Sequence, residues 1–90
     1  MDTPVFFAAQ RYNSMLSAIY STKNSQLIDE QSLGDILRIA AIQTPADRTA
    51  DDYEQALQRT MEYLQNHFKH VADHVEKAMN EKASGRSPSL

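Results

Sequence analysis

The sequence predicts an all-α protein: a three-helix bundle or helical hairpin with a long C-terminal helix, dimerised through helix packing. Three observations predict it. The first is an apolar seam, Leu57, Met61, Leu64, Phe68, Val71, Val75 and Ala78, with successive steps of 4, 3, 4, 3, 4 and 3. That spacing follows one side of a helix and has none of the alternation of a strand. The second is punctuation: glycine occurs twice and proline three times in 90 residues, mostly at the edges of periodic segments. The third is the lack of cysteine, which removes disulfides and thiolate metal sites. A chain this small buries a modest share of its surface, so association is the support left to it.

Residues 1–84 read as a single helical domain, and 85–90 as a disordered tail. Thr3 or Asp2 caps helix 1, with Pro4 at the first helical position, where a missing N–H costs nothing. Helix 1 is predicted over about 4–20, with an apolar face of Val5, Ala8, Tyr12, Met15, Leu16 and Ile19 that Phe6 and Phe7 widen. The polar run Ser21 to Ser25 reads as a loop. Helix 2 is predicted over about 32–43, with Ser32 and Asp35 at capping-box spacing. An earlier start, near Ser25 or Asp29, places Gly34 in the helix interior at about 1 kcal/mol against alanine, which favours Ser32. The body of helix 2, Leu33, Ile36, Leu37, Ile39, Ala40 and Ile42, is apolar nearly all round. Pro45 turns Thr44 out of helical geometry and ends it. Thr49 caps helix 3, with Asp52 at the reciprocal position. Asp51, Asp52 and Glu54 oppose the positive end of its dipole, Lys77 and Lys82 the negative end, and Gly85 stops it. Helix 3 is therefore predicted as one rod over 50–83, about 50 Å long.

That length implies company. The short 44–49 connection turns helix 2 back along the first half of helix 3, over Tyr53, Leu57, Met61 and Leu64. Phe68, Val71, Val75 and Met79 then overhang the bundle. Burying each is worth about 1.5–3 kcal/mol, so leaving four in water forgoes roughly 6–12 kcal/mol, close to a small domain's whole stability. The predicted interface is Tyr63, Phe68, Val71, Val75 and Met79, with Ile39 and Ile42 as a second strip. Its occupant is a second copy of the chain and another protein. The alternative lays helix 1 end to end with helix 2, over the distal half.

His67, His70 and His74 are offset by 3 and 4, which places them on one face of a continuous helix. Histidine gains its charge near pH ~6.5, so three across a symmetric dimer form a candidate pH-sensing group. His70 and His74 have the spacing of a transition-metal pair, but no His-Glu-x-x-His run occurs, and no metal or other cofactor is expected. The nine Lys and Arg are scattered in a chain of net charge −3, whereas a nucleic-acid surface needs clustered cations. The N-terminus has no cationic region, and no apolar run reaches membrane length, so no membrane is expected and the predicted location is cytoplasmic. No phosphate-cradling loop or activated nucleophile appears, and no enzymatic activity is expected. The predicted function is a non-enzymatic α-helical protein–protein interaction module (an adaptor, regulator or chaperone-like protein) acting through its amphipathic long helix as a homodimer. The alternatives are a dimeric DNA-binding transcriptional regulator and a histidine metal-binding helical bundle.

Overall fold

Helix α1 (Thr3–Asn24) continues a turn beyond the predicted end at residue 20. The buried stripe explains the extension: Met15, Ala18 and Ile19 are followed by Thr22, whose hydroxyl stays buried by donating to the Ile19 carbonyl at 2.6 Å. The helix closes in a Schellman arrangement. Gln26, at φ 64, takes the left-handed position, its N–H donates to the Lys23 carbonyl, and the Leu27 N–H donates to the Thr22 carbonyl. This is a computed structural model, and it describes residues 3–42 and 49–83.

Helix α2 (Glu30–Ala40) starts from Asp29, not Ser32. The Asp29 carboxylate accepts the Ser32 N–H at 2.8 Å, so Ser32 is the residue being capped. Ile28 is buried just before the cap, and Leu33, Ile36 and Ala40 face the core behind it. Gly34 lies on the exposed side with nothing within 4 Å of where a Cβ would be. The helix stops at Ala40 because its last carbonyls are claimed by other helices. The Tyr12 hydroxyl donates to the Ala40 carbonyl at 2.8 Å, and the Arg59 guanidinium donates to those of Ile39 and Ala41. Residue 43 and the predicted Thr44-Pro45 stop lie outside the described residues, as does the 85–90 tail.

The cap at Asp29 makes a prediction. The backbone hydrogen bond from Ser32, then its side-chain bond, holds the Asp29 carboxyl below its ordinary value of 3.8. The folded state thus binds fewer protons than the unfolded state just below that value. The cap's stabilisation is complete above pH 3.8 and is lost as pH falls through the lower folded value. Asn caps without titrating. In urea melts, the advantage of wild type over Asp29→Asn is expected to shrink as pH drops below 3.8. A difference that is constant with pH would dismiss this account.

The predicted rod over 50–83 is two helices, α3 (Ala50–His67) and α4 (Lys69–Ala83). Thr49 and Asp52 form the reciprocal capping box that starts α3. Phe68 breaks the rod at φ −141, ψ 66. Its N–H closes α3 on the Leu64 carbonyl, and its own carbonyl opens α4 by accepting from Val71 and Ala72. The chain turns back sharply enough for the Gln65 amide to donate to Glu76 at 2.9 Å.

The expected three-helix bundle or hairpin is therefore four helices packed together. α1 meets each of the other three and forms the centre with α3, while α2 and α4 flank that pair without touching each other. The fold is about two helices thick, with Cα extents of 39 × 38 × 19 Å. Its core gathers Met15 and Ile19 of α1, Ile36 of α2, Leu64 of α3, and Val71 and Val75 of α4. No described helix is long and apolar enough to cross a membrane.

Candidate interaction surface

The overhanging seam predicted as an interface is not present as one. Val71 and Val75 have 0 % exposure, covered within their own chain. The reason is the break at Phe68, which swings α4 onto α1 and fills the overhang from within. Tyr63, Phe68 and Met79 are half-buried against the core, with the Tyr63 and Phe68 rings 6.0 Å apart. Ile39 and Ile42 are also half-buried, and Ile42 packs on the core.

The same break dissolves the single histidine face. His67 ends α3 and lies against the Tyr63 ring at 4.7 Å. His70, in the first turn of α4, sits 3.0 Å through Nε2 from the Leu27 carbonyl. A carbonyl only accepts, so Nε2 carries the proton and ties α4 to the α1–α2 loop. His74 is partly buried further along α4. No group of three or more His, Asp or Glu side chains gathers to hold a metal among the described residues.

Several cations already have partners. Arg11 reaches both oxygens of Glu54 at 2.8 and 2.7 Å, Arg38 pairs with Asp35, and Lys69 lies 3.6 Å from Asp73. All are exposed pairs, whose contribution to stability is small.

The open surface lies on α1. Phe6, Gln10, Asn13, Ser17, Tyr20 and Asn24 are all exposed and follow each other at steps of 4, 3, 4, 3 and 4. They lie opposite the buried stripe of Ala8, Tyr12, Met15 and Ile19. None carries a charge. Phe6 is 59 % exposed, Phe7 57 % and Tyr20 48 %. The Phe6 and Phe7 rings meet edge to face at 5.9 Å, at one end of the line. Beside it, Ser14, Ser17, Met79 and Asn80 help line an open groove of about 500 Å³ between α1 and α4. Met79 is thus the one predicted interface residue that borders this surface.

Sequence reasoning assigned Phe6 and Phe7 to the buried face because they are aromatic. The missed signal was the company they keep: the line running from Phe6 through Gln10, Asn13 and Ser17 is polar but uncharged. Such a face is suited to contact, with uncharged polar groups between aromatic anchors, and it carries no acid–base or nucleophilic pair. Comparison with known proteins adds no guide: no family model, no curated protein and no solved structure matches the chain.

Proposed function

We propose that this chain is a non-enzymatic helical interaction module that receives a helix of a partner protein along the open face of α1. One observation carries the reading: a line of uncharged, exposed residues at helical spacing, with Phe6 and Phe7 at one end and Tyr20 towards the other. From Phe6 to Asn24 it runs about 27 Å, long enough for five turns of a partner helix to follow its 3- and 4-residue steps. Charge selects the partner's chemistry. An uncharged line favours an apolar and small-polar seam on the partner, because a charged side chain brought there loses water and gains no counter-charge. The aromatics are the natural anchors.

Nucleic acid fits less well. The outward line of α1 offers no cation to phosphates, and Arg11, Arg38, Arg59 and Lys69 are engaged within the chain. A metal-binding bundle loses its motive once Phe68 separates His67 from His70 and His74.

The test replaces Phe6, Tyr20 or Glu62 with a photo-crosslinking amino acid in the native cell. Adducts with a partner protein are expected at Phe6 and Tyr20, and none at Glu62 on the exposed side of α3. In a titration with that partner, Phe6→Asp with Tyr20→Asp should weaken binding by about 30-fold or more, the weight of one hot spot of about 2 kcal/mol. Absence of adducts at both α1 positions overturns the reading.

A further inference from the structure

The hinge between α3 and α4 has no sequence feature that makes it a hinge. Asn66-His67-Phe68-Lys69-His70 contains neither glycine nor proline. The apolar seam passes through it without a change of step, Leu64 to Phe68 to Val71 to Val75. The connection is a single residue. The helical ladder stops at the Phe68 N–H, and no bond from the Lys69 or His70 N–H to an α3 carbonyl carries it on. Straightening Phe68 into helical geometry restores those bonds and yields one amphipathic rod over 50–83 of about 50 Å. Local preference and the packed fold therefore pull this junction in opposite directions.

We infer that α4 is exchangeable between two copies of this chain. In the exchanged dimer α3 and α4 of each copy form one straight helix, and α4 crosses to the α1 face of its partner. Val71, Ala72 and Val75, buried in the single chain, are buried again against the same residues of the second copy. His70 reaches the partner's loop through the contact it now makes with Leu27 at 3.0 Å. Only contacts across the corner are lost, chiefly Gln65 with Glu76. Nearly everything that α4 gains at home it regains abroad, and the hinge gains helical hydrogen bonds. Short connections that cannot relax are where such exchange arises. The occupant is specified by the fold itself, because the surface that α4 covers is complementary to α4. This inference does not depend on the outer face of α1, which stays exposed in either form.

Two variants and one distance test it. Lys69 is the first residue of α4, where proline is tolerated, but in a continuous rod position 69 is interior, where proline removes a hydrogen bond and clashes. Lys69→Pro should stay helical and monomeric, with a dimerisation constant lowered by about a hundredfold for each chain straightened. Phe68→Ala places the best helix former at the break and should raise the dimer fraction. Both are read by sedimentation after refolding at high concentration. The chain has no cysteine, so spin labels on Gln58→Cys and Lys77→Cys report one intrachain distance. With labelled chains diluted in unlabelled ones, the dimer should show about 28 Å along a straight helix, and the monomer less. Wild type and Phe68→Ala that stay monomeric, a dimer that persists in Lys69→Pro, or a dimer keeping the monomer's distance would each overturn the proposal.

Discussion

Val75→Asp is expected to unfold the protein outright. Val75 has 0 % exposure and lies with Val71 and Ala72 on the side of α4 that meets the core. The buried polar side chains among the described residues are Thr22 and Thr60, and both hydroxyls already donate to carbonyls of their own helices. A carboxylate at position 75 thus enters a site without a cation. The loss of valine burial, about 1.5–3 kcal/mol, adds to a desolvation penalty of several kcal/mol. Together these reach the total stability of a small domain, about 5–15 kcal/mol. Circular dichroism at neutral pH should show the helical signal lost, or a melting midpoint far below wild type. Were the seam an interface between protomers, the same variant would be a folded, helical monomer. A folded monomer would therefore place α4 away from the core and return Val71 and Val75 to the surface.

This contrast shows where local pattern stops being informative. The capping box of Thr49 and Asp52 was legible because it involves residues three apart and nothing else. The inward line of Ala8, Tyr12, Met15 and Ile19 was legible because helical periodicity alone marks it. The break at Phe68 was not, because its cause is remote in sequence. The overhang does demand a cover, but α1, some fifty residues earlier, is close enough to provide it once one residue leaves helical geometry. The histidine face fell with the rod, since its shared direction depended on an unbroken turn between His67 and His70. Asp29 and Ser32 offered equivalent local caps. Burial of Ile28 decides between them, and that is a tertiary fact. The outward aromatics of α1 were misread because hydrophobicity marks an aromatic side chain without saying which side of the helix finds a neighbour.

The second large effect separates the two faces of α1. Ile19→Ala is expected to cost about 2–5 kcal/mol, and Phe6→Ala within about 0.5 kcal/mol of nothing. Ile19 has 0 % exposure in the one helix that touches all three others, so truncation leaves a cavity that several elements would have to move to fill. Phe6 is 59 % exposed and touches chiefly the neighbouring Phe7 ring. Losing that contact is offset in part by alanine's better helix propensity. For a domain of this size each kcal/mol moves the melting temperature by about 4–8 °C, so Ile19→Ala should melt at least roughly 8 °C below wild type while Phe6→Ala stays close to it. Urea melts with an unchanged slope for both would show that the surface exposed on unfolding is the same, so that the difference lies in stability alone. The pair also bears on function. A residue that leaves folding untouched but is kept as a large exposed aromatic has its value at a contact, and Phe6→Ala should weaken crosslinking to a partner at Tyr20 without altering the melt. Should Phe6→Ala instead destabilise as much as Ile19→Ala, the N-terminal aromatics belong to the core, and the outer face of α1 has no anchor to offer.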